Sequence, residues 1–268
     1  MNNIIGFKMQ TDDDKTTGNL VCKGVIYPKK CIAEVYFPSR RVHYSYYNDE
    51  FELKEGDWVY VDGKLAGIKG YVTNINYSFK IKLSDYKKVI ALIDITVTGD
   101  FYLTPANIIA FDKGSIPYSK VINWFKAYED EEYVCGDDES VKFPLDDLSK
   151  MNISKEEAEM GYDYFLENDV CYVELNKTKG RAIVEGSKYY EIEFKYKKGE
   201  ISNLKCSCYK NNECRHEFAV MLKLKETLDF ILKNYEKMYS DYFAIISKNV
   251  FIDTIMNGKT SGKISLGV

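Results

Sequence analysis

Three thiols and one imidazole fall within eleven residues of this chain, in the run Cys206-Ser207-Cys208-Tyr209-Lys210-Asn211-Asn212-Glu213-Cys214-Arg215-His216. Their order is Cys-x-Cys, five spacers, then Cys-x-His. Four such donors make a full tetrahedral set for a borderline-soft divalent ion at roughly 2.0–2.3 Å, and thiolate with imidazole suits zinc. All four positions are protein donors, which leaves no place for water or substrate. The set Cys206, Cys208, Cys214 and His216 therefore reads as a structural zinc site rather than a catalytic one.

The neighbouring sequence must bring the two halves of that set together. With one residue between them, Cys206 and Cys208 face the same side of an extended segment. Upstream, Tyr190, Ile192, Phe194 and Tyr196 alternate with Tyr189, Glu191, Glu193 and Lys195, so one face of a strand is apolar and the other wet. Lys198-Gly199 supplies a hairpin turn, and the return strand Ile201 to Lys205 delivers Cys206 and Cys208. Downstream, Met221, Leu224, Leu228, Ile231, Tyr235 and Met238 recur by threes and fours, which predicts a helix of about six turns with one stripe on the hairpin's apolar face. Cys214 and His216 stand where the chain enters this helix, whose N-terminus favours thiolate over thiol. The loop Tyr209 to Glu213, with two asparagines that tolerate turn geometry, folds the second pair onto the first. Further upstream, Ser154-Lys155-Glu156-Glu157 has the capping-box pattern, in which Glu157 reaches back to the helix start. The helix it opens carries Met160, Tyr164 and Phe165, and strands are expected near 170–176 and 181–186.

This order of ligands resembles the SWIM zinc-finger family, whose signature is Cys-x-Cys, a variable spacer, then Cys-x-His. The likeness continues upstream through Gly161-Tyr162-Asp163-Tyr164-Phe165 before Val170, and through Arg181-Ala182-Ile183-Val184-Glu185-Gly186-Ser187-Lys188-Tyr189-Tyr190-Glu191-Ile192. Downstream it takes in Phe218, Ala219 and Val220, covering about residues 155–235 in all. The resemblance implies that the four ligand positions hold zinc. It also implies a non-catalytic module that binds nucleic acid or a protein partner, often within bacterial helicases of the chromatin-remodeller type.

Other readings of the same residues remain open at the level of sequence. The cysteines could be small buried hydrophobes and His216 a helix-capping residue. A Cys-x-Cys redox pair would support a thiol-based enzyme using Cys208 or Cys214, but its ring would be strained and Cys214-x-His216 would go unexplained. No phosphate-cradling Gly-rich loop with Lys-Ser/Thr and no Gly-x-Ser-x-Gly elbow is present, and of the two histidines one is assigned to zinc. A non-enzymatic role is the expectation.

At 268 residues the chain has room for two ordinary domains, and its hydrophobic fraction of 45% suffices for packed cores. Aromatic residues at 15%, with 23 Tyr and 14 Phe, lean towards sheet. No apolar run approaches the ~20 residues that span a membrane. The start, Met1 to Gly6, lacks the basic and apolar regions of a secretory signal. With seven cysteines in no evident framework, a reduced cytoplasm is expected. The net charge of −4 hides an asymmetry. Nine acids lie between Glu129 and Lys150 against two bases, whereas eight bases (Lys195, Lys197, Lys198, Lys205, Lys210, Arg215, Lys223, Lys225) lie between Lys195 and Lys225 against three acids. The zinc lobe is thus locally basic, although three thiolates on a divalent ion take one charge back. Such a lobe could meet phosphate or be simply a solvated face.

The first half reads as short strands: Cys31 to Phe37, Val42 to Tyr47, Asp57 to Val61, Tyr71 to Tyr77 and a central Val89 to Val97, with turns between them, forming a small curled sheet or barrel. Residues 1–20 suggest an arm or first strand. Pro105 to Lys126 has a helical pattern with Val121, Ile122, Trp124 and Phe125 to bury. Cys22, Cys31 and His43 are too few for a second metal set. Arg40, Arg41 and tyrosines 44, 46 and 47 could stack single-stranded nucleic acid, and cross-strand packing accounts for the same tyrosines. The tail holds a further apolar cluster from Phe243 to Ile255. The expected protein is α+β: a mostly-β, barrel-like domain over 1–127, an acidic linker over 128–152, and a hairpin-and-helix zinc-finger domain with C-terminal helices over 153–268.

Overall fold

A computed structural model describes residues 4–7, 28–104, 107–127, 136, 141–208, 210, 212–235, 242–258 and 261–266. Strand β1 is Ile4–Phe7. Strands β2 (Cys31–Phe37), β3 (Val42–Asn48), β4 (Trp58–Val61), β5 (Gly70–Asn76), β6 (Val89–Ile93), β7 (Thr98–Leu103) and β8 (Ile108–Phe111) precede helix α1 (Tyr118–Phe125). Then come β9 (Lys142–Pro144), α2 (Lys155–Leu166), β10 (Val170–Asn176), β11 (Lys179–Glu185), β12 (Tyr189–Lys197), β13 (Glu200–Cys206), α3 (Arg215–Tyr235), β14 (Tyr242–Ser247), α4 (Lys248–Asn257) and β15 (Ser261–Leu266). The protein is α+β and mostly β, with two sheets and four α-helices among the described residues.

Two compact units divide the chain, one of residues 1–9, 97–117 and 132–268, the other of 10–96 and 118–131. The smaller unit holds a five-stranded antiparallel sheet in the order β3-β2-β5-β4-β6. Its first and last strands meet at a bridge between Tyr47 and Lys88, where the Tyr47 amide donates to Lys87 O at 2.9 Å, so the sheet curls on itself. Alternation of β2 puts Cys31, Ala33, Val35 and Phe37 inside, packed on Val59, Val61, Val72 and Val89. Tyr46 is buried with them and Tyr47 is buried on the other face of β3, edge-on to Phe79, so of the three tyrosines offered for base stacking only Tyr44 is exposed. The helical pattern expected from Pro105 to Lys126 is in fact strand β8 followed by α1. In α1, Val121, Trp124 and Phe125 are buried, and the Trp124 indole N–H donates to Asp94 O at 2.8 Å.

The larger unit is built on a ten-stranded sheet, β1-β15-β7-β8-β14-β10-β11-β12-β13-β9. Its pairs are antiparallel except β15 with β7. One row of cross-strand neighbours runs Ile245, Val173, Ala182, Ile192, Cys206 over five adjacent strands. Residues directly opposite share a face, so Cys206 lies at the end of a row of core side chains. That face receives α3 through Ala219, Val220, Met221, Leu224 and Leu228, all buried. The expected stripe is thus observed through Ile231; the expected position Met238 and the side chain of Tyr235 lie outside what the structure describes. At the turn of the β12–β13 hairpin, Lys198 and Gly199 both have positive φ (53° and 85°), the two-residue arrangement whose twist matches paired strands. On the opposite face of the sheet, Phe251 of α4 packs against Phe101 at 4.6 Å between ring centroids.

Candidate metal centre

Strand β13 ends at Cys206, and the chain turns at once. The Ser207 amide donates to Glu191 O and the Glu191 amide to Ser207 Oγ, both at 2.9 Å, which pins the turn to β12. Cys208 is therefore carried by this turn and not by strand alternation, a correction to the extended geometry expected for the pair. Cys214 occupies the position just before α3, and its carbonyl accepts the helix's first bond, from the Phe218 amide at 3.0 Å. Glu217, three residues into the helix, accepts from the Cys214 amide at 2.7 Å, the reaching-back half of a capping box. Burial and then the Cys214 charge push the Glu217 carboxyl up to about 8.

Among the described residues, one group of His, Cys, Asp or Glu is close enough to hold a metal ion: Cys206, Cys208, Cys214 and His216, with ligand atoms all within 4.8 Å of one another. These are the four residues expected from the sequence. Cys206 Sγ and Cys214 Sγ each lie 3.7 Å from His216 Nδ1. Bonds of about 2.0–2.3 Å to one central ion imply donor separations of roughly 3.3–3.8 Å, so these two edges already have tetrahedral length. The donor set fits a cation for a second reason. The hydrogen bond with Cys206 draws the Cys214 thiol well below the ordinary thiol range, while the same pairing and burial push Cys206 far above it. Thiols this close ionise at each other's expense, whereas a shared divalent ion lets all of them stay deprotonated. Cys214 and His216 are buried; Cys206 and Cys208 are half-buried.

His216 is held between two rings, stacked on Tyr190 at 4.0 Å and 19° and edge-on to Tyr164 at 5.3 Å and 84°. Beside them opens a cleft of roughly 410 Å³, lined by Tyr164, Lys188, Tyr190, Cys208, Lys210 and Arg215 among others. Helix α2 frames the centre from outside. Ser154 caps it as expected, accepting from the Glu157 amide at 3.2 Å. The Glu157 carboxylate, however, leaves its own helix. It accepts from Lys210 Nζ at 2.6 Å and from the Arg215 amide, Nε and an Nη at 3.1, 3.2 and 3.1 Å. Burial opposes ionisation there, but the hydrogen bonds from Lys210 and Arg215 outweigh it and hold the carboxyl at about 2. Sequence reasoning placed Glu157 only in the capping box, because nothing local announces a partner some sixty residues on.

The basic lobe is largely occupied with the chain itself. Lys210 and Arg215 serve Glu157, Lys223 pairs with Glu226, Lys225 donates to Asp146 O and Lys205 to Gly136 O. In the smaller unit, Cys31 is buried beneath Asn48 whereas His43 is exposed beside Glu34, and Cys22 lies outside the described residues. No described helix is long and apolar enough to cross a membrane.

Comparison with protein-family models finds no match, and neither the curated proteins nor the solved structures contain a significant match to the chain.

Proposed function

We propose that this protein is a zinc-binding module of the SWIM type that works in recognition rather than catalysis. One observation carries the reading: three thiols and an imidazole, brought from a strand end, a turn and a helix start, converge within 4.8 Å as a complete ligand set. When bound, zinc supplies folding energy and a fixed junction, not an open coordination position. What the residues do is hold a hairpin and a helix in one geometry, with the cleft beside them as the surface offered to a partner. On this reading the chain combines a barrel-like module, the smaller five-stranded unit, with a hairpin-and-helix zinc finger, in a reducing cytoplasm. The partner is a protein or a nucleic acid, with a DNA helicase as the partner that the SWIM resemblance suggests.

Of these, a protein partner is favoured by the internal engagement of Lys205, Lys210, Arg215, Lys223 and Lys225, which leaves few of the lobe's cations for phosphate. Affinity for nucleic acid falls with salt by a power set by the number of phosphates neutralised. With Lys197 and Lys198 as the phosphate contacts, oligonucleotide binding is expected to be weak and to drop only on the order of tenfold between about 50 and 200 mM salt. Fluorescence titration of the zinc-loaded protein with duplex and single-stranded oligonucleotides checks this. A loss of about a thousandfold over the same range would overturn the preference and make nucleic acid the partner.

A further inference from the structure

We propose that Glu157 is the positioning residue of the metal centre, and that one face of α2 holds the ligand-bearing loop and helix start in ligating geometry. This rests on the reading of Cys206, Cys208, Cys214 and His216 as a metal site. Glu157, Gly161 and Tyr164 are spaced i, i+4 and i+7, so they lie along a single face of α2. Each meets a different part of the same segment.

The carboxylate of Glu157 joins the two halves of the ligand set. Lys210 follows Cys208 by two residues, and Arg215 stands between Cys214 and His216. Four hydrogen bonds to one carboxylate thus tie the end of the first pair to the start of the second. One turn further along, Gly161 sets the helix separation. A Cβ there would lie 2.7 Å from Arg215 O and 3.0 Å from Phe218 Cβ, so only glycine admits the backbone of α3 this close. Tyr164, the next along the face, presents its ring to the edge of His216 and with Tyr190 confines the imidazole. Glu157 is not itself within the cluster of ligand atoms. Its role is to shorten the search of the loop between Cys208 and Cys214, whose closure would otherwise be paid in chain entropy when metal binds.

A plain ion pair between α2 and α3 would stabilise the fold equally with and without metal. A positioning residue makes a larger difference when metal is bound, and loss of such an outer partner typically weakens metal affinity 10–100-fold. The experiment measures zinc affinity of the full chain by competition with a chromogenic chelator for wild type, Glu157→Gln and Lys155→Ala. Lys155 pairs with Glu159 on the exposed side of the same helix and serves as the control. Melting of each variant with and without zinc, and the thiolate-to-metal absorption of the cobalt-substituted forms, are recorded alongside.

Glu157→Gln is expected to bind zinc 10–100-fold more weakly, with an altered cobalt spectrum and with a larger drop in melting temperature in the zinc-loaded form than in the chelated one. Lys155→Ala is expected to match wild type throughout. Equal zinc affinity in wild type and Glu157→Gln would overturn the inference while leaving the metal site standing. So would a loss of stability that is the same in the zinc-loaded and chelated forms. Wild type that binds no zinc would remove the metal reading itself and this inference with it.

Discussion

Treatment of the purified protein with a strong chelator is expected to lower its thermal unfolding temperature by about 10 °C. A ligand that binds only the folded state stabilises it by roughly 4 kcal/mol when present at about a thousand times its dissociation constant. Each kcal/mol moves the midpoint of a chain of this size by roughly 2–4 °C. The effect should stop short of the complete unfolding seen in isolated zinc fingers. Helix α3 keeps Met221, Leu224 and Leu228 on the sheet without help from the metal, and the row Ile245, Val173, Ala182, Ile192 is packed independently of it. What chelation releases is the junction: the turn after Cys206, the loop to Cys214 and the first turn of α3. Scanning calorimetry with and without chelator checks this, and superimposable traces would contradict it.

Ile192→Ala is expected to destabilise the larger unit by about 2–5 kcal/mol, the usual range when a large buried aliphatic side chain is cut back to a methyl. Ile192 is fully buried on β12, with Ala182 on one side of it and Cys206 on the other. The cavity would open directly beside the strand end that bears the first thiol. The flanking Ala182 is too small to fill it, and collapse of α3 onto the gap would pull His216 out of its place between Tyr190 and Tyr164. Denaturant unfolding should show a lower midpoint at unchanged slope. Glu193→Ala, on the exposed face of the same strand, should shift it by less than about 0.5 kcal/mol. Similar midpoints for the two variants would mean that the row is not the core of this unit.

Local pattern was enough to read the residues that make the candidate metal centre. Cys-x-Cys and Cys-x-His state their chemistry through residue type, the alternation from Tyr189 to Tyr196 states a half-buried strand, and Lys198-Gly199 states its turn. Each of these signals lies within a few residues of what it specifies. The longer connections have no such signature. Strand β14 sits in the middle of the sheet between β8 and β10, although its partners lie about 70 and 135 residues upstream. The run Phe243-Ala244-Ile245-Ile246 announces burial without naming a neighbour. Ile108 to Phe111 was absorbed into a helical pattern because four apolar residues fit either period. Tyr46 looks like part of a stacking surface until the register of β2 with β3 sets it opposite the buried Ala33, and Tyr47, on the other face, is covered by Phe79. Glu157 shows the same limit at the site itself. Its capping-box spacing was legible, but the destination of its carboxylate depends on how α2 meets α3, and that is set by Gly161 and the core beneath.

The most direct test is the metal content of the freshly reduced, purified protein by elemental analysis, beside Cys206→Ser and His216→Ala. About one zinc per chain, lost in both variants, is the predicted result. Wild-type protein free of metal would contradict the account and return the same four residues to a thiol-redox or plain-core reading.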